Sequence, residues 1–213
     1  MARPATISSA RETATASLHQ RLRCNTRAAH DALDATMDLD GRLSSLRSYG
    51  QTLMRFRSLY STLASRIDDF GLPFPQAEKL AWLDADLRHL RLSDAGLQGL
   101  ACANFPQAIA SRSDAFGVLY VLEGATLGGQ IIARRLQAAL GVTASTGGRF
   151  FQSYGPDVGP NWRRFVAMLD AFGETSAEGD RVERAALATF GCFQTLMETS
   201  DPPTLASGAD HDG

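Results

Sequence analysis

The sequence predicts an all-α, single-domain fold, and three observations carry that expectation. Apolar residues recur at steps of three and four along most of the chain, the period of a helix that buries one face, and no segment sustains the alternation of a half-buried strand. Turn-rich clusters, GLPFPQ, GVTASTGG and YGPDVGP, separate the periodic stretches. With 213 residues, 44% of them hydrophobic and 21% charged, the chain is long enough for one sizeable core.

Residues 1–15 are rich in Ala, Ser, Thr and Arg and lack an apolar period, so a disordered N-terminal segment is expected there. A domain spanning 16–199 follows, with helices over 17–37, 45–67, 76–90, 112–140, 160–173 and 177–199. From Ser200 the run SDPPTLASGADHDG has two prolines and almost nothing to bury, which predicts a disordered tail over 200–213. The net charge of -2 argues against nucleic acid as a partner, since polyphosphate binders carry a basic excess. The sequence shows neither a run of about 18 apolar residues nor an apolar leader, so a cytoplasmic protein without a membrane role is expected. Cys24, Cys102 and Cys192 are widely spaced and read as small buried hydrophobes. Twenty of the 21 basic side chains are Arg, and Lys79 is the single Lys.

Two helices carry the unusual residues. On a helical projection of LHQRLRCNTRAAHDALDATM at about 100° per residue, Leu18, Leu22, Thr26, Ala29, Leu33 and Met37 share one side. Arg23, Arg27 and Asp34 lie on the other side of His30, which therefore sits at the seam between core and polar face. An imidazole there can point one nitrogen into an apolar crevice while Asp34, one turn later, holds the other. With guanidinium groups alongside, that arrangement suits heme, whose iron takes an axial ligand and whose propionates take cations. A solvated helix edge is the competing reading. His19, His89 and His211 are weaker candidates, by position near the ends or in a charged run.

The second helix, SDAFGVLYVLEGATLGGQIIARRLQAAL, contains Gly117, Gly124, Gly128 and Gly129, each costing up to about 1 kcal/mol relative to alanine. Gly117, Gly124 and Gly128 fall within roughly 40° of one another, and Ile131 and Arg135 continue the stripe. A bare backbone strip admits either a flat ligand or a closely crossing helix. The adjacent Gly128 and Gly129 permit a bend. Spacing alone leaves both readings open.

LYVLEGATLGGQ resembles the distal-helix motif of the bacterial heme oxygenases encoded beside bacteriophytochromes, and LRCNTRAAHDALD resembles the proximal-helix motif of the same family. RFFQSYG and TFGCFQTLM are weaker matches. The resemblance implies a helical bundle that sandwiches heme between a proximal helix and a kinked distal helix, and cleaves it with oxygen to biliverdin, carbon monoxide and iron. It further implies His30 as the axial iron ligand, Asp34 as the acid that orients it, and Arg23 and Arg27 near the propionates. Gly124, Gly128 and Gly129 would flank the bound oxygen, Phe190 and Phe193 would wall the pocket, and Arg135 is a further candidate heme contact. Many family members carry an aspartate, which organises water near the bound oxygen, where this chain has Ala125. No nucleotide or iron–sulfur motif is present, so the resemblance implies an external electron donor, a ferredoxin, flavodoxin or reductase, and a bacteriophytochrome as recipient of the bilin. The rival readings are a heme carrier or sensor and a non-heme enzyme on the same scaffold.

Overall fold

A computed structural model describes residues 16–91, 108–173 and 175–198. Among these residues the chain is helical, without a strand, in agreement with the predicted class. The two expected disordered ends, Cys102 and His211 lie outside the described residues.

The first predicted helix is divided. α1 (Leu18–Asn25) and α2 (Arg27–Thr36) meet at Thr26, a buried residue whose Oγ1 donates to the Leu22 carbonyl at 2.8 Å. Such a back-bond from a threonine hydroxyl competes with the helical ladder and bends it. The backbone still passes nearly continuously through this point, since the His30 N–H donates to the Thr26 carbonyl at 2.9 Å. Asp38, in the left-handed region at φ 34°, then turns the chain into a short α3 (Leu39–Arg42), which periodicity did not foresee because four residues are too few to show it.

α4 (Leu46–Asp68) begins at Ser45, whose hydroxyl accepts the Ser48 N–H, as N-capping requires. At its far end the Asp68 carboxylate accepts the N–H groups of Gln76 and Ala77 at 2.9 and 3.0 Å, so α4 supplies the cap for α5 (Gln76–His89). α6 runs unbroken over Arg112–Leu140, the span expected from sequence, with Ser111 as its cap and Gly141 at φ 67° ending it. Its length and apolar character would suffice to cross a membrane, but more than half of its apolar window is buried inside the fold.

A second short helix, α7 (Arg149–Gln152), is positioned by Asp86 of α5, whose two carboxylate oxygens accept the Arg149 and Phe150 N–H groups at 2.9 and 2.8 Å. After a 3₁₀ turn at Gly155–Asp157 come α8 (Val158–Phe172) and α9 (Ser176–Glu198). The core joins Leu53, Leu59 and Leu63 of α4, Val118 and Leu119 of α6, Phe165 and Leu169 of α8, and Val182 and Ala186 of α9. α1 is stapled to α9 by Arg21, which reaches Asp180 at 2.5 Å and Glu183 at 2.8 Å. Of the cysteines, Cys192 is buried as expected, while Cys24 departs from expectation in being exposed.

The tightest helix contact is that of α6 on α9. A Cβ on Gly117 would stand 2.2 Å from the Val182 carbonyl oxygen and 2.6 Å from the Ala185 Cβ, closer than atoms can pack. Gly117 is therefore a crossing point. Gly117→Ala is expected to destabilise the fold by about 2 kcal/mol or more, because two helices must separate to admit one methyl group. Urea unfolding of the variant measures this, and unchanged stability would contradict the crossing.

Candidate functional site

α2, α6, α7 and α9, with contributions from α1, α4, α5 and α8, enclose a cavity of about 610 Å³, within the range of cofactor pockets. On the α2 side stands His30. Its Nδ1 lies 3.2 Å from Asp34 Oδ2 and 3.9 Å from Asp31 Oδ1, and its ring meets Phe190 edge-on at 6.0 Å between centroids. An Nδ1–H donated to Asp34 leaves Nε2 with its lone pair free, which is how a ligating imidazole is usually oriented. The sequence reading of α2 as an edge helix with Asp34 one turn beyond His30 predicts this pair.

Arg23 and Arg27 also line the cavity, both exposed at its rim; Arg27 Nε is 3.5 Å from Asp31 Oδ2. Phe190 and Phe193 form part of the wall on α9, where Phe193 packs edge-on against Phe56 at 4.9 Å. Arg135 does not join them. It lies seven residues beyond Gly128, about 10 Å further along α6, and its Nη1 is 3.3 Å from Asp40 Oδ1, outside the cavity lining.

The glycines of α6 divide between the two uses that spacing left open. Gly117 serves helix crossing, and it does not line the cavity. Gly129 lines it but also backs onto α7, where a Cβ would stand 3.1 Å from the Phe151 carbonyl oxygen. A Cβ on Gly124 would touch the Trp162 ring at 3.6 Å, an ordinary contact. On Gly128 it would meet nothing within 4 Å, so that backbone is bare toward open space. Ala125 lines the cavity between them.

Several lining residues escaped the sequence reading. His19 belongs to α1 and lines the cavity, its ring 6.4 Å from Tyr120 and 5.8 Å from Trp162. A buried polar cluster reaches the cavity at Lys79. Lys79 Nζ pairs with Glu123 Oε1 at 2.6 Å, both side chains 1% exposed. The same oxygen accepts from Gln76 Nε2 at 2.9 Å and from the Tyr154 hydroxyl at 3.4 Å. Burial pushes the Lys79 ammonium down from its ordinary pKa, while the Glu123 carboxylate opposes that loss of charge. Burial likewise drives the Tyr60 and Tyr154 hydroxyls up, with Glu123 adding to both, so these phenols stay protonated. The one available signal was that the single lysine falls in the apolar stretch of QAEKLAWL.

Ser153 follows α7 in RFFQSYG. It is 2% exposed, lines the cavity, and adopts φ 50° and ψ -126°, a backbone conformation that costs a residue with a Cβ about 1–3 kcal/mol. Arg149 Nη1 donates to its carbonyl, and Gln130 Nε2 to the Gln152 carbonyl at 2.8 Å, which together hold the turn. Its hydroxyl has no hydrogen-bond partner among the described residues.

The donor set fits heme: an imidazole beside a carboxylate, guanidinium groups at the rim, apolar rings in the wall and a bare backbone in the same lining. Comparison with known proteins agrees. The family described as heme oxygenase matches residues 16–199. A heme oxygenase of Xanthomonas campestris pv. campestris (strain 8004) is 28% identical over 162 residues, covering 73% of this chain and 92% of that protein. The NO- and CO-bound heme oxygenase of Neisseria meningitidis superposes with a TM-score of 0.73 at 19% identity, over 90% of this chain and 99% of that one. Heme oxygenase from Leptospira interrogans does so with a TM-score of 0.70 at 17% identity, over 85% and 98%.

The glycine geometry yields a graded expectation. Gly128→Ala is expected to leave stability unchanged or raise it by up to about 1 kcal/mol, since alanine favours the helix and meets nothing there. Gly129→Ala is expected to lose stability, its methyl group pressing on the Phe151 carbonyl. Thermal unfolding of the two variants side by side tests the difference; equal losses would mean that both glycines serve packing alone.

Proposed function

The chain belongs to the heme oxygenase family and is an enzyme of that family; from this we propose that it cleaves heme held in the cavity to biliverdin, carbon monoxide and iron, with His30 as the axial ligand. The observation that carries this reading is that one cavity is lined both by His30, its Nδ1 3.2 Å from Asp34, and by the bare backbone at Gly128. Bound heme supplies the iron that activates oxygen and is itself the substrate.

The chain's own residues supply orientation and exclusion. Asp34 fixes the imidazole tautomer, so that Nε2 is the nitrogen free to ligate. Arg23 and Arg27 offer bidentate donors to carboxylates at the rim. Gly124 and Gly128 let a flat group approach the α6 backbone and leave room beside it for a diatomic molecule. Gly129 completes that wall and fixes α6 against α7. Phe190 and Phe193 supply apolar rings to the wall, and Phe190 packs against the His30 ring.

Electrons come from an external ferredoxin, flavodoxin or reductase, and the bilin goes to a bacteriophytochrome in the cytoplasm; these readings rest on the family resemblance of the two helical motifs. Residues 16–199 form the catalytic domain in this proposal. A heme carrier or sensor is the second reading, and Ala125 is the observation that favours it, because no carboxylate stands at that point of the cavity wall.

Two experiments test these assignments. His30→Ala is expected to lose the absorption spectrum of histidine-ligated heme and to regain it with added imidazole; an unchanged spectrum rejects His30 as ligand. Hemin supplied with an electron donor and oxygen, with catalase present to remove free peroxide, is expected to give one equivalent of carbon monoxide per heme and a biliverdin spectrum. Persistence of intact heme while electrons demonstrably reach the iron assigns the chain to the carrier or sensor class.

A further inference from the structure

Two buried side-chain oxygens, Gln76 Oε1 and Ser153 Oγ, have no hydrogen-bond partner among the described residues. Ser153 lines the cavity, and Gln76 belongs to the buried polar cluster around Glu123. Gln76 donates its Nε2 to Glu123 and to the Phe74 carbonyl at 2.7 Å, leaving its carbonyl oxygen over, and Ser153 directly precedes the Tyr154 whose hydroxyl reaches the same carboxylate. Buried polar atoms are almost always satisfied, by protein or by ordered water. A buried, unpartnered hydroxyl in a cavity lining therefore marks hydrogen-bonding capacity reserved for something smaller than a side chain.

Ser153 carries the argument further because its placement works against its own backbone. A residue at φ 50° and ψ -126° would be glycine if conformation alone decided. A serine is held there instead, by Arg149 and Gln130, with its side chain in the cavity wall. Backbone strain held in place by its surroundings, together with an unpartnered hydroxyl at a cavity, points to a functional hydroxyl. Tyr60 of α4 and Lys79 of α5 are buried polar residues of the same cavity lining.

We propose that Ser153 is a positioning residue whose hydroxyl holds ordered water in the cavity lining it shares with Ala125, and that this water does the hydrogen-bonding work for which the chain has no carboxylate at that position. A water needs two to four polar partners, and the cavity lining offers the polar side chains of Tyr60 and Lys79 besides Ser153. The catalytic part of this proposal rests on the heme-cleavage reading; the water site does not.

The test uses the full chain with Ser153→Gly and Ser153→Ala. Crystals of the parent protein are expected to show an ordered water within hydrogen-bond distance of Ser153 Oγ, lost in Ser153→Ala. Ser153→Gly is expected to unfold at a higher temperature than the parent, because it relieves the backbone, while hemin affinity stays within about twofold and the rate of heme cleavage falls roughly tenfold or more. A role in shaping the turn alone predicts the opposite split, an unchanged rate in the stabilised glycine variant. Absence of the water, or parental turnover in Ser153→Gly, overturns the proposal. If the parent itself does not cleave heme, the oxygenase reading fails, and the water and melting results still decide whether Ser153 is a water site.

Discussion

The arrangement depends on the closeness with which α6 and α9 cross. Gly117 brings the α6 backbone to within what would be a 2.2 Å collision for any side chain, and that contact fixes the distance and rotation of α6 relative to α9. α9 also carries Phe190, against which the His30 ring rests. One helix thus indexes both walls of the cavity: α6 at Gly117 directly, α2 through an aromatic contact. The bare surface at Gly128 lies three turns further along the same α6 stripe, so its direction follows from the crossing.

The buried Lys79–Glu123 pair works in another way. Removing two charges from water is costly, and such a pair rarely adds net stability over an apolar substitute. Its value is specificity. Gln76, Lys79 and Tyr154 all meet one oxygen of Glu123, so α5, α6 and the segment after α7 must register together for any of them to be satisfied. Asp86 adds a second tie, from α5 to the start of α7. The inner wall is therefore built by polar geometry, while the His30 side is built by apolar rings.

The sequence revealed the long elements because burial writes its period into them; α6 was legible to the residue, and α4 and α5 nearly so. Where the signal is local and short, it failed. Nothing periodic marks α3 or α7, and a single hydroxyl back-bond at Thr26 divided what reads as one helix. His30 and Asp34 were legible because their relation is a spacing on one helix. Arg135 shares the glycine stripe by angle but lies further along the axis, outside the cavity lining and beside Asp40. The inner polar cluster was illegible because its members come from separate elements and meet only in three dimensions. The glycines show the limit most clearly, since one stripe contains a crossing point and an open wall, which only their neighbours distinguish.

α2 has a further consequence. Along its ten residues it fully buries one side chain, Leu33, and its first residue follows the bend at Thr26. Helical segments held by so little apolar contact open at low free energy. The amides of α2 should therefore exchange with deuterium well before those of α6 or α9, and a flat ligand bound against His30 would add the missing packing. By mass-action linkage, part of the affinity measured for such a ligand is the free energy of closing α2. Capture and release are then governed by the breathing of one short helix, while the two long ones stay in place.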